Sequence, residues 1–151
     1  MKFRLFYVAL SLGLISGPVL ARSVVCHKAG EREVAALFDR WNDSLKTGDP
    51  ARVVANYATN SILLPTLSNQ PRLTPEAKAD YFEHFLAKKP DGKIDSRWIE
   101  VDCNTAVDAG LYTFTFGDGS VAHARYSYSY KWNGKKWLIT SHHSSLMPEK
   151  N

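Results

Sequence analysis

The chain has 151 residues, a length that favours one domain. Its 44% hydrophobic and 23% charged residues are ordinary for a soluble globular protein. The 19 Lys and Arg residues against 15 Asp and Glu include Lys2 and Arg4, so the chain beyond its N-terminal segment carries only about +2. This balance gives no case for a nucleic-acid-binding surface.

The N-terminal segment has the pattern of a secretory signal. Lys2 and Arg4 precede an apolar run over residues 5–15, and Pro18 to Ala21 form a cleavage site that ends in a small residue. The alternative is a membrane anchor, but the run is shorter than the roughly 20 residues that span a bilayer. We therefore expect a signal peptide at residues 1–21, a mature domain at 22–151 that does not contact the membrane, and a periplasmic or secreted protein.

Export makes the two cysteines informative. An even count in an oxidising compartment favours a disulfide between Cys26 and Cys103. The alternative is a pair of free thiols. Two cysteines without CxxC spacing do not indicate a metal site.

The first half of the mature chain is mainly helical. Apolar residues at helical spacing predict an amphipathic helix over residues 29–46. Asp49-Pro50 begins a short helix whose apolar side includes Tyr57. Residues 61–66 are a short buried strand, residues 67–73 a polar connector, and Pro75 begins a helix through residue 89.

The second half predicts four antiparallel strands. Residues 93–103 and 106–116 alternate, and Gly110 indicates a bulge in the second of them. Asn133-Gly134 then joins strands over residues 122–132 and 136–146 into a hairpin. Helices followed by strands indicate an α+β fold with the helices on one face of a curved antiparallel sheet, which leaves a conical cavity.

The hairpin's first strand has two unlike faces. Alternation places Arg125 on one face and an aromatic stripe on the other, made of Tyr126, Tyr128, Tyr130 and Trp132. We predict that the arginine face is the floor of a pocket and that the aromatic face is packing or, preferably, a dimer interface. A ligand shelf is the alternative use of the aromatics.

Five segments carry a family resemblance: LFDRWNDSLKTGDPARVVANYA (37–58), ILLPTLSN (62–69), DYFEHFLAKKP (80–90), ARYSYSYKWNGKKW (124–137) and HHSSLMPE (142–149). Together they resemble exported bacterial relatives of the calcium/calmodulin-dependent protein kinase II association domain. That family belongs to the nuclear transport factor 2-like (SnoaL-like, cystatin-like) superfamily. The resemblance implies a cone-shaped α+β fold, no kinase activity, and a homo-oligomer that is at least a dimer.

The resemblance also implies a basic cavity that accepts small carboxylates. Arg125 matches the family's strand arginine with a slip of two residues. Ser144 stands where the family has a second basic residue, which weakens the expectation of anion binding. His142 shares a strand face with Ser144 and is expected to replace part of that function.

Other candidate residues are weaker. Arg125 is equally well explained by a structural salt bridge to Asp80 or Glu83. His142 and His143 are neighbours on a strand and face opposite sides, so they do not chelate one metal. Asp80 and His84 lie one helical turn apart as a possible acid–base pair, or as an exposed surface pair.

The superfamily contains both enzymes and binding modules, so the fold alone does not decide function. We expect a non-catalytic small-ligand-binding or assembly module with no cofactor and no metal, whose ligand contacts are Arg125, His142, Tyr57 and Tyr81. The alternative is a cofactor-independent isomerase, dehydratase or cyclase that uses His142 or His143 with Tyr57 or Asp80.

Overall fold

The computed structural model describes residues 25–66 and 68–148. The predicted signal peptide at residues 1–21 lies outside the described residues. Three helices precede and interrupt a five-stranded sheet: α1 Glu31–Lys46, α2 Pro50–Val54, β1 Tyr57–Leu64, α3 Pro75–Leu86, β2 Asp91–Asp102, β3 Thr105–Thr115, β4 Val121–Trp132 and β5 Trp137–Leu146. Within this part of the chain, every helix is too short or too polar to cross a bilayer.

The helices begin where the sequence indicates. The Asp49 side chain accepts a hydrogen bond from the Ala51 amide at the start of α2, and Thr74 accepts one from the Ala77 amide at the start of α3. A proline occupies the first turn of both helices. Helix α1 buries the apolar stripe predicted for it: Val34, Leu37, Phe38, Trp41 and Leu45.

The sheet order is β1-β5-β4-β3-β2, and β1 runs parallel to β5 while the other pairs are antiparallel. The α+β prediction is confirmed. The first strand is longer than expected, because α2 ends at Val54 and Tyr57 is already the first residue of β1. The prediction that Tyr57 belongs to the short helix is therefore wrong, although its side chain is buried as expected.

The prediction of a bulge in β3 at Gly110 is wrong, because the bulge lies in the neighbouring strand opposite Leu111 and Tyr112. The extra residue belongs to β2, where the register shifts between Ile94 and Ser96. A Cβ at Gly110 would stand 2.0 Å from the Ser96 carbonyl oxygen, so only glycine permits this approach of the two backbones. The bulge also bends β2.

The helices cover the aromatic face of β4, which corrects two predictions. Tyr126, Tyr128 and Tyr130 are buried in the core of a single chain, so they cannot form a dimer surface. Trp132 is half-buried, with the His27 ring stacked 3.7 Å above it. Arg125 faces the other side of the sheet, is exposed, and donates to the Leu146 carbonyl. The physical reason is that burying three tyrosine rings outweighs any gain from covering a charged face.

The predicted disulfide between Cys26 and Cys103 is present in the structure and fastens the N-terminal segment to the turn between β2 and β3. Asn104 strengthens the attachment, since its side chain accepts from the His27 amide and donates to the Val25 carbonyl.

Candidate functional site

The cavity opens where the inner face of β4 changes from large to small residues. Toward its C-terminal end β4 presents tyrosines, and α1 fills that half of the cone with Phe38, which lies 6.4 Å from the rings of Tyr126 and Tyr128. Toward its N-terminal end the inward residues are Ala122 and Ala124. Their small side chains leave a cavity of about 340 Å³ between α3 and the sheet.

The walls of the cavity are largely aromatic. Helix α3 contributes Tyr81, Phe82 and Phe85, and β3 contributes further rings opposite them. Trp41 and Leu63 lie deeper, where both are almost fully buried. The site therefore suits a flat apolar body.

The mouth of the cavity is cationic. Arg72, His84 and Lys88 line it, and His84 and Lys88 are exposed. The Arg72 Nη1 lies 2.6 Å from Oδ2 of Asp80, and its guanidinium carbon lies 6.0 Å from the centre of the Tyr81 ring. Among the described residues that line the cavity, none is Asp or Glu. Arg72 and Lys88 together outweigh the carboxylate of Asp80 that pairs with Arg72, so the electrostatic field at the entrance favours an anion.

Tyr81 forms part of the wall beside Arg72. Burial raises the pKa of its hydroxyl to about 12, although the nearby charge of Arg72 opposes the shift. The phenol is therefore a neutral hydrogen-bonding group at any physiological pH.

The inner end of the cavity contains a buried relay. Trp41 Nε1–H lies 3.2 Å from the Tyr57 hydroxyl, which lies 2.7 Å from Nδ1 of His142. Burial, and secondarily the neighbouring His143, lowers the pKa of His142 to about 3. Burial also holds the pKa of Tyr57 well above its usual range. All three groups are neutral near pH 7.

A second polar strip lies beside His142. The Tyr112 hydroxyl donates to Ser144 Oγ at 2.5 Å, and Ser144 Oγ lies 2.6 Å from Thr66 Oγ1. Ser144 accepts from Tyr112, and either hydroxyl of the Ser144–Thr66 pair can donate to the other. Ser144 thus lines the cavity beside His142, as the shared strand face predicts.

The structure brings some predicted site residues together and separates others. His142 and Tyr81 line the cavity, and Tyr57 supports His142 from behind. Arg125 is exposed on the opposite face of the sheet, so its predicted place on a pocket floor is wrong. Of the two candidate histidines, His143 is the one that lies exposed and away from the cavity. The tyrosine rings that cover the core side leave no room for Arg125 to form a floor.

Asp80 is exposed and pairs with Arg72 rather than with Arg125. Sequence reasoning missed Arg72 as the cavity's cation, because it lies in the polar connector. The connector folds back along β1, with the Leu63 and Arg72 backbones paired, and this carries the Arg72 side chain to the mouth.

A separate buried ion pair stabilises the filled half of the cone. Asp108 is fully buried, accepts from the Tyr126 hydroxyl at 2.8 Å, and lies 3.2 Å from Nε of Arg97. Burial raises the pKa of Asp108, while Tyr126 and Arg97 oppose that shift. Asp108 does not line the cavity. Across residues 25–66 and 68–148, no group of three His, Cys, Asp or Glu residues is arranged to hold a metal ion.

Comparison with known proteins identifies the family to which this chain belongs. The profile of the calcium/calmodulin dependent protein kinase II association domain matches residues 30–148. The chain belongs to this family. The crystal structure of a proposed association domain of this family from Xanthomonas campestris is 47% identical, covers 86% of this chain and all of its own, and superposes with a TM-score of 0.77. A search of curated proteins returned no match.

More distant structures share the fold. An NTF2-like protein of unknown function from Pseudomonas putida is 17% identical over 80% of this chain and 96% of its own, with a TM-score of 0.69. A proposed dehydratase of the NTF2-like family from Streptomyces avermitilis is 11% identical over 78% of this chain and 96% of its own, with a TM-score of 0.70. At these identities the likeness establishes the NTF2-like, cystatin-like fold of this association domain and does not extend to activity.

Proposed function

We propose that this association-domain protein binds a small organic anion with a flat apolar body, and that it does so without catalysing a reaction. The observation that carries the proposal is the composition of the cavity: aromatic walls, a cationic mouth and no lining carboxylate among the described residues. The volume of about 340 Å³ lies within the range of small-molecule sites. Arg72 supplies the guanidinium, a group that pairs well with carboxylates.

A cofactor-independent isomerase or dehydratase is less well supported. Such an enzyme needs a base that lies close to the substrate and has a pKa near the working pH. His142 has its pKa lowered to about 3, so it is a poor proton acceptor near pH 7. Asp80, the carboxylate near the mouth, is paired with Arg72. The dehydratase among the similar folds therefore does not lead us to assign that chemistry here.

Export and self-association are part of the proposal. The disulfide is compatible with an oxidising compartment such as the periplasm. Since the tyrosine face is buried within one chain, we propose that a dimer uses the outer face of the sheet, where Trp98 is 58% exposed. Native mass spectrometry of the wild type and W98K tests this proposal: we expect a dimer that the variant loses, and a wild-type monomer would contradict it.

Anion binding is tested with 4-acetylbenzoate and two charge-matched variants, R72Q and R125Q. A charge-assisted hydrogen bond contributes about 1.5–3 kcal/mol, so we expect R72Q to weaken binding about ten- to hundredfold. R125Q removes the same charge from the opposite face of the sheet and should leave affinity unchanged. Isothermal titration calorimetry measures both. Equal affinities for R72Q and R125Q would refute the proposal.

A control variant separates the charge of Arg72 from its pairing with Asp80. D80N removes the partner of Arg72 and leaves the guanidinium in place. We expect D80N to bind the probe at least as tightly as the wild type, because an opposing carboxylate is lost from the entrance.

A further inference from the structure

The hydrogen-bond relay behind the cavity determines which nitrogen of His142 carries the proton. The indole Nε1–H of Trp41 only donates, so the Tyr57 oxygen accepts it at 3.2 Å. The single hydroxyl proton of Tyr57 is then directed to Nδ1 of His142 at 2.7 Å. If Nδ1 carried a proton instead, the Tyr57 hydroxyl proton would be buried without an acceptor, which is costly. The neutral imidazole therefore holds its proton on Nε2.

This Nε2–H group lies on the ring edge away from Tyr57. Tyr57 holds the Nδ1 edge of the ring and does not line the cavity, whereas His142 does. Nε2 is buried, and no side chain or backbone group of residues 25–66 and 68–148 accepts a hydrogen bond from it. His142 is only 3% exposed and its ring stacks 4.1 Å from that of Tyr128, so it cannot turn toward solvent. An unpaired donor thus lies just behind the inner wall of the cavity, and because Nε2 has almost no exposed surface, a ligand oxygen reaches it only when adjoining side chains move slightly.

We propose that His142 is the specificity-determining residue of the cavity and selects ligands that carry an oxygen acceptor, such as a carbonyl, at the end opposite their anionic group. The inference rests on the proposed function. Arg72 and Lys88 hold the anion at the mouth, the aromatic walls hold the body, and Nε2–H donates to the inner oxygen. An alkyl group at that end leaves the buried donor unpaired, and a site built this way rejects such ligands.

The residues around Nε2–H support this division of roles. Trp41, Leu63 and Phe82 surround the inner end and offer no acceptor side chain. Ser144 lies beside His142, but its hydroxyl is already engaged with Tyr112 and Thr66. An oxygen atom of the ligand is therefore the acceptor that we propose for the Nε2–H of His142.

The test compares two probes of nearly equal shape, 4-acetylbenzoate and 4-isopropylbenzoate, on the purified oxidised protein. We expect the acetyl probe to bind the wild type about ten- to hundredfold more tightly, as a buried hydrogen bond predicts. H142F should lose this preference while keeping anion binding. H142Q, whose amide still donates, should keep part of the preference, and Y57F should reduce it because the ring proton is no longer fixed.

The outcomes are distinguishable from failure of the proposed function. Equal wild-type affinities for the two probes would overturn the selectivity and leave anion binding intact, whereas no binding of either probe would overturn both. A nitrogen-15 NMR spectrum of the His142 ring decides the relay without any variant: a proton on Nε2 at pH 7 supports it, and a proton on Nδ1 overturns it.

Discussion

Replacing His142 by glutamine should make the protein markedly less sensitive to acid. The unfolded chain binds a proton on this histidine near pH 6.5, whereas the folded protein binds it only near pH 3. Between these values the unfolded state binds more protons, so stability falls as pH falls. One pKa unit corresponds to about 1.4 kcal/mol. Because the unfolded histidine is already half protonated at pH 6.5, lowering the pH from 6.5 to 4.5 should cost the wild type about 2 kcal/mol through this residue alone.

Urea unfolding of the oxidised protein at pH 6.5 and pH 4.5 measures the effect. The matched control is H143Q, because His143 is the neighbouring residue and lies exposed on the other face of the sheet. H143Q should still lose most of the stability that the wild type loses between pH 6.5 and pH 4.5. The raised pKa of Asp108 makes the folded protein more stable as pH falls. This contribution is the same in every variant, so it cancels when their free energies of unfolding are compared. An H142Q protein that loses as much stability as the wild type would refute the reasoning.

Three further changes test the scaffold, each by urea unfolding at pH 7. G110A should lower stability by about 3 kcal/mol, since its methyl group would collide with the Ser96 carbonyl; a neutral result would contradict the close approach. K78M should lower it by about 2 kcal/mol, because the Lys78 ammonium donates to two backbone carbonyls that bracket the connector; K78R should recover part of the loss. The double variant C26S/C103S should lose about 4 kcal/mol, as expected for a closed loop of 77 residues; an unchanged midpoint would show that the cross-link does not stabilise the fold.

The sequence predicts the elements of this fold well because local signals are strong. Helix α1 follows from its apolar spacing, the β4–β5 hairpin from Asn133-Gly134, and the disulfide from the cysteine count. The family resemblance predicts the cone-shaped fold, and the profile match confirms the family. These features depend on short-range chemistry or on the whole-chain pattern.

The candidate site was less predictable because it depends on which face of the sheet the helices cover. Alternation correctly separates Arg125 from the tyrosines but cannot say which set is inside. The change from alanines to tyrosines along β4 is visible in VAHARYSYSY, and read as a change in side-chain volume it would have located the cavity. Arg72 had no local signal, since its position depends on the connector folding back along β1.

The central claim, that the cavity between α3 and the sheet holds the ligand, is tested most directly by intermolecular NMR contacts. The methyl groups of Ala122 and Ala124 line the cavity and can be labelled with carbon-13 as reporters. With 4-acetylbenzoate bound, we predict contacts from the ring protons of the probe to both methyl groups, and loss of the contacts to Ala124 in A122L, which narrows the entrance. Contacts from the probe only to residues on the outer face around Arg125, with the alanine methyl groups unaffected, would contradict the account.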